Sequence, residues 1–312
     1  MTTIKQERKK INKLIKRDNR NNQIIDGFYQ QALSIVGNHL QEFYNEYADD
    51  NGLTLNQVSQ QVNSWDIQSF YQAINEMLAD ASPDDELSKR LQAIFAQASI
   101  SRRDMLGAMI GAGMSIATAK SESFAVNELK QQYIDGYNNS SPNKISTVPA
   151  KVANQAEYSQ RIWVHGDVMT TRMKETLNKG LSRGMKKSDI NKMTRGIPQS
   201  GDRIDGNLAT PMNQMLSRIH TLTTSQGIEN TNSGKNKAYD EQNVKYVIWL
   251  TKEDYKVCDQ CKDLDKQIFT RGLAPIPQDD THLNCRCQLV KCDEDGNVLP
   301  DELDRVLDEP EA

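Results

Sequence analysis

Four of the chain's five cysteines fall between Cys258 and Cys287, together with one of its four histidines. The spacing is C-x2-C, a gap of 23 residues, then C-x-C, with His282 three residues before Cys285. A C-x2-C pair can wrap two thiolates around one ion, and a second pair can return to close the tetrahedron. On an extended backbone Cys285 and Cys287 share a face, and Arg286 points the other way. The segment between the pairs holds Pro275 and Pro277 and few large apolar residues. Burial alone cannot keep such a loop shut, so this part of the chain is expected to be stapled. Disulfides and incidental thiols are the competing uses. The opening MTTIKQERKK carries no apolar export segment, and a reducing compartment favours metal over disulfides. The expectation is one structural zinc ion per chain, held by Cys258, Cys261 and Cys285, with Cys287 or His282 as the fourth ligand. Cys292 is expected to be a plain strand-end cysteine.

Strands are expected on either side of the cysteines. Val244 to Leu250 is β-branched and aromatic, Gln267-Ile-Phe-Thr follows the Leu264-Asp265 turn, and Cys287-Gln-Leu-Val is third. A small sheet pinned at one end by metal and backed by helices is an α+β domain. Everything upstream has helical periodicity. Ile24, Ile25, Phe28, Ala32, Ile35 and Val36 continue a stripe begun at Ile4 and Ile11. Thr54 caps one or two helices to about Asp80, and Ser82-Pro83 opens another, with Leu87, Leu91, Ile94 and Phe95 on one face. The small, apolar Arg102–Lys120 stretch is expected to be a buried helix. Further helices are expected over about 151–180, over about 188–195, and from Thr210-Pro211 to Ser233-Gly234.

The expected fold is therefore mainly α: an elongated helical N-terminal domain followed by a small zinc-stapled sheet backed by helices. Asn138-Asn-Ser-Ser-Pro142-Asn is the best linker candidate. It divides the chain into a helical domain over 1–140, a linker over 141–150, a domain over 151–292 containing the metal hairpin 258–287, and an acidic tail over 293–312. Apolar content of 37% and aromatic content of 6% are low for one well-filled globule. Charge is concentrated at the ends. Residues 1–20 carry Lys5, Arg8, Lys9, Lys10, Lys13, Lys16, Arg17 and Arg20 against Glu7 and Asp18, a net of +6. Residues 293–312 carry nine acids against Arg305, a net of −8. The basic arm can contact DNA phosphates, or can simply be the solvated face of a helix. No stretch has the length and apolarity of a membrane span.

The residues around the cysteines also resemble a known family. Val247-Ile-Trp-Leu-Thr-Lys-Glu-Asp254, then Cys258-x2-Cys261-x2-Leu264-Asp265-x3-Phe269, then His282-x2-Cys285-Arg286-Cys287, is similar to the signature of the Mu F-like phage head morphogenesis family, also called minor capsid or minor head proteins. Lys266 stands where that family usually carries Gly, and Thr221-Leu222-Thr223 where it often carries Arg-Thr-Glu. The resemblance implies a phage head protein that joins the procapsid near the portal, located in the virion head and in the host cytoplasm during assembly. It implies the portal protein and procapsid components as partners, with phage DNA as a further one.

The sequence has no phosphate-binding Gly loop, no H-E-x-x-H and no G-x-S-x-G. No catalytic residues are expected, and two or more thiolates on an ion favour a closed structural site. Two other functions stand beside the phage reading. A zinc-ribbon-type nucleic-acid binder would show a basic surface around the metal hairpin. A metal-dependent hydrolase would use Asp254, Asp259, Asp263 or Asp265 as a base, although acids in such a segment more often form turns.

Overall fold

The computed structural model of the chain describes residues 3–49, 52–79, 81, 83–153, 155–194 and 206–300. Asn51, Ser82, residues 195–205 and the acidic segment beyond 300 lie outside the described residues. The fold is mainly α with a small three-stranded antiparallel sheet in the C-terminal region. The long helices are α1 (Ile4–Tyr47), α5 (Arg102–Asn138), α7 (Ala156–Ser182) and α9 (Ala209–Glu241). Shorter ones are α2 (Leu55–Ser59), α3 (Ser64–Leu78), α4 (Asp85–Ala98), α6 (Ala150–Ala153), α8 (Lys187–Met193) and α10 (Asp259–Leu264). The strands are β1 (Tyr246–Leu250), β2 (Ile268–Thr270) and β3 (Gln288–Cys292), in the order β2-β1-β3. Among the described residues no helix is long and apolar enough to cross a membrane.

The chain forms two compact units, each built from separated stretches. One comprises Gln23–Phe124 and Ser159–Ile219, and the other Met1–Asn22, Ala125–Tyr158 and His220–Ala312. Both units draw on residues 1–140 and on residues 151–292. The first unit is helical. Its part of α1 buries Ile25, Tyr29, Leu33, Val36, Leu40 and Phe43 at steps of three and four. The Arg102–Lys120 stretch is buried from Met105 to Ala117 except at Gly107, which is half-buried. A buried ion pair lies in this unit: Arg102 Nε meets Asp66 Oδ2 at 3.0 Å, and Asp66 is fully buried. Where Ser82 was expected to cap α4, the helix begins at Asp85, and Asp84 accepts from the Leu87 amide at 2.8 Å.

The second unit contains the sheet, the first turns of α1, the end of α5 and most of α9. Helix α9 does not stop at Ser233-Gly234 but continues to Glu241. Gly234 serves a close helix contact there: a β-carbon on it would collide with the Tyr133 carbonyl of α5, and one on Gly136 with that of Thr231. A glycine that ends a helix and one that admits a neighbour look alike in sequence.

Candidate metal centre

Strand β1 is buried on both faces, which is why its sequence is continuously apolar. Ile248 and Leu250 join Ile11 of α1, Val290, Cys292 and Val298 in one cluster. Trp249, on the other face, joins Cys261, Cys285 and Cys287, with Val257, Leu264, Phe269 and Leu289 packed around them. Antiparallel pairing sets Trp249 opposite Leu289 of β3. Cys292 ends β3 in the first cluster, as a plain buried cysteine.

The two cysteine pairs are delivered by different local structures. Cys258 is the N-cap of α10 and accepts from the Cys261 amide at 3.4 Å. One turn of helix then aims Cys261 at the same place. Cys285 and Cys287 lie just before β3, and the bend ahead of them passes through Asn284 at φ 61, a left-handed conformation that Asn tolerates. All five cysteines are free.

These donors converge. The ligand atoms of Cys258, Cys261 and His282 lie within 4.8 Å of one another, as do those of Cys261, Cys285 and Cys287. Cys261 belongs to both groups. Its Sγ is 3.7 Å from Cys285 Sγ and 3.7 Å from His282 Nε2. Four thiolates around one ion at metal–sulfur distances of about 2.3 Å would sit about 3.8 Å apart. The donor set fits a thiophilic metal, and the cluster of Cys258, Cys261, Cys285 and Cys287 could hold one.

Protonation is uneven across the cluster. Burial pushes the Cys261 thiol up to about 12. A hydrogen bond from Cys287 pulls Cys285 down to about 5, and the same bond pushes Cys287 up. Burial opposes ionisation of Cys258, but hydrogen bonds from Cys261 outweigh it and bring Cys258 below its ordinary value. The Leu283 carbonyl, 3.0 Å from His282 Nδ1, raises the imidazole above its ordinary value. Burial and mutual hydrogen bonding thus favour the protonated form of Cys261 and Cys287, and a metal ion must displace those protons to bind.

A carboxylate outside the cysteines fixes the geometry. Asp265 Oδ1 accepts from the Thr251 amide at 2.7 Å and from the Thr251 hydroxyl at 2.9 Å. Its Oδ2 meets Arg8 Nη2 at 2.6 Å. Arg8 also pairs with Glu253 at 2.6 Å and donates from Nε to the Thr251 carbonyl at 3.1 Å. A second tie comes from Arg286, which leaves the cysteine face as its position predicts and pairs with Asp18 of α1. Burial, and then repulsion from Arg17, lowers Arg286 to about 9, so it stays charged at neutral pH.

The eight cations of the basic arm divide in two. Arg8 is bound to the hairpin, Arg17 pairs with Asp135 at 2.6 Å, and Lys10 pairs with Glu7 at 2.7 Å. Lys5, Lys9, Lys13, Lys16 and Arg20 are exposed, at steps of four, four, three and four, and so form one ridge on α1. The roles of Arg8, Asp265 and Asp18 were missed because pairs more than 240 residues apart leave no local pattern.

These residues define a thiol-rich knuckle that could hold a metal ion, set on a small antiparallel sheet. Comparison with protein-family models, with curated proteins and with solved structures finds no match.

Arg8 serves three acceptors at once, which only a guanidinium fork can do. Arg8→Lys is expected to destabilise the protein by about 1–2 kcal/mol and Arg8→Ala by about 3 kcal/mol, because the Asp265 carboxylate is left partly buried without its cation. Urea unfolding checks both. An Arg8→Ala loss under about 0.5 kcal/mol would mean that the clamp carries no stability.

Proposed function

We propose that this chain is a tailed-phage minor head protein that acts in head assembly beside the portal, with a C-terminal region closed by one structural zinc ion. The observation that carries the reading is the ordered series from Val247 to Cys287. Its resemblance to the Mu F-like head morphogenesis signature extends to the strand, the Cys258-x2-Cys261 knuckle, Asp265 and the His282-x2-Cys285-Arg286-Cys287 return. Each of these positions has a physical task in the folded hairpin, which supports reading the series as one motif. On this reading the partners are the portal protein and procapsid components, and the protein resides in the virion head after assembly in the host cytoplasm.

Zinc suits a set of three or four thiolates with an imidazole, and it has no redox chemistry to disturb them. Cys258, Cys261 and Cys285 would be common to either closure. His282 suits the fourth place because its Nδ1 bonds the Leu283 carbonyl, which leaves Nε2 as the lone-pair nitrogen facing Cys261. Cys287 suits it as a fourth thiolate. Either set closes the coordination shell, which disfavours the hydrolase reading. The ion's contribution would be folding energy, on the order of 10 kcal/mol at neutral pH.

Protein purified under reducing conditions should carry one zinc per chain by elemental analysis. Cys258→Ser and Cys285→Ser should lose the metal and open residues 258–287 to protease. In His282→Ala, retained zinc assigns the fourth place to Cys287, and lost zinc assigns it to His282. Affinity should rise with pH, by up to about tenfold per unit for each proton displaced. Less than about 0.2 zinc per chain in a protein whose fold ignores chelator would remove the structural site.

A nucleic-acid reading of the hairpin finds less support. Most of its cations are paired: Lys252 with Asp254, Lys262 with Asp259, Lys266 with Glu253, Arg271 with Asp240 and Arg286 with Asp18. The exposed ridge on α1 is the better surface for phage DNA. Lys5 to Arg20 spans about 22 Å of helix, long enough to follow several phosphates.

Two measurements test the assignment. Co-expression with the portal protein of the same phage should yield a complex that survives purification through a tag on either partner. Absence of that complex, together with infectious particles formed without this chain, would end the head-protein reading. Duplex DNA should bind without sequence preference, with log affinity falling against log salt at a slope of about −4.5 for five phosphate contacts. Replacing Lys5, Lys9, Lys16 and Arg20 by Ala should flatten that slope; binding that survives unchanged would move the DNA surface elsewhere.

A further inference from the structure

In the unit that contains the sheet, a half-open cavity of about 340 Å3 lies between α1, the end of α5, α9 and β3. Its apolar wall is made by Ile11 and Leu14 of α1, Val290 of β3 and Leu299. Lys13 lines it too, and belongs to the exposed ridge of Lys5, Lys9, Lys13, Lys16 and Arg20. The chain is held at this cavity by β3. Val298 pairs with Cys292, and the Leu299 amide donates to the Lys291 carbonyl at 3.1 Å. Leu299 is nonetheless 40% exposed, an apolar side chain in the cavity wall that stays partly uncovered. The sequence that follows Pro300 lies outside the described residues and reads Asp301-Glu-Leu-Asp-Arg-Val-Leu-Asp-Glu-Pro-Glu-Ala312. Asp301, Glu302, Asp304, Asp308, Glu309 and Glu311 stand there against Arg305, a net of −5, with Leu303, Val306 and Leu307 set among them.

We propose that this cavity and the ridge beside it form a docking surface for the chain's own acidic segment, residues 301–312. Position, reach and chemistry select that occupant. The segment begins two residues after Leu299, which is itself part of the wall. Residues 301–312 span up to about 40 Å when extended, against about 22 Å of helix from Lys5 to Arg20. The net of −5 answers the five cations of the ridge, and Leu303, Val306 and Leu307 answer the apolar wall. An exposed ion pair contributes at most about 1 kcal/mol, so charge alone would hold the segment weakly. Burial of the three apolar side chains adds to it, and the short tether raises their local concentration at the cavity. A polyanion that approaches Lys9, Lys13 and Lys16 must then displace the segment. That consequence rests on the DNA reading of the ridge, whereas the docking does not.

Carbodiimide cross-linking of the full chain at low salt, with peptide mass spectrometry of the monomer, tests this. It is read without DNA, so its failure and the failure of the DNA reading are distinguishable. Amide bonds are expected between carboxylates of the segment and the lysines that line or flank the cavity, Lys9, Lys10, Lys13, Lys16 and Lys235. Lys266 and Glu253, 3.5 Å apart, serve as the internal standard. Leu303→Ser, Val306→Ser and Leu307→Ser together keep every charge. They should lower the yield of the segment's links at least about threefold and leave the standard unchanged. No link from the segment in a sample where the standard forms would mean that the surface is not its docking place. Links found only in covalent dimers would put the segment on a second copy. A yield indifferent to the three serines would reduce the contact to diffuse attraction between charges. Each of these three results overturns the proposal.

Discussion

The carboxylate of Asp265 joins three separate parts of the chain. Through Oδ1 it holds Thr251, where β1 ends, and through Oδ2 it holds Arg8, near the start of α1. Asp265 itself is the C-cap residue of α10, the helix that carries Cys261. One side chain thus sets the distance between the strand under the cysteines, the knuckle that presents them and the helix that covers the sheet's other face. The group is mostly buried, so its attraction to Arg8 acts in a medium less polar than water and is not easily screened by salt. It also explains why the metal hairpin has a defined shape as a protein structure: cysteines that are brought together by a framework need little rearrangement to accept an ion.

Much of this was legible from sequence because it is local. The β-branched run at 246–250, the two strands that flank it and the C-x2-C knuckle each follow from periodicity or spacing over a few residues. Cys285 and Cys287 share one cluster while Arg286 turns to Asp18, as alternation along an extended backbone requires. The parts that were not legible are contacts between distant residues. Gly234 looks like a helix stop until the Tyr133 carbonyl of α5 is seen against it. Gln23–Phe124 and Ser159–Ile219 form one compact unit although nothing in composition links them. Backbone conformation at single residues is hidden too. Lys266 has φ 66, at the position where the resembling family usually has glycine. The left-handed turn is therefore kept without the residue that makes it easy, at a cost of roughly 1–2 kcal/mol that the surrounding bonds must exceed.

Those bonds surround it. The Lys266 amide donates to the Trp249 carbonyl at 2.7 Å, and the Trp249 amide donates to the Gln267 carbonyl at 3.0 Å. Trp249 is fully buried against the cysteines, so the turn at Lys266 and the floor of the metal centre are one hydrogen-bonded unit. A family signature written as residue letters records the glycine. What the hairpin needs is the turn, and a lysine can supply it when the strand on the other side is held this firmly.

Charge shows the same difference between composition and arrangement. A net of +6 over residues 1–20 describes one basic arm. In the folded helix Arg8, Lys10 and Arg17 meet carboxylates, and Lys5, Lys9, Lys13, Lys16 and Arg20 form one exposed ridge. Arg8 and Arg17 tie α1 to the rest of its unit, Lys10 pairs within the helix, and the ridge is left exposed. Replacing all eight would therefore confuse two effects, a loosened helix and a lost surface. The helical spacing separates them: a substitution at an outward position changes long-range attraction, which salt screens, while one at an inward position changes a partly buried pair, which salt screens far less. Ionic strength is thus the variable that separates the arm's buried pairs from its exposed charge.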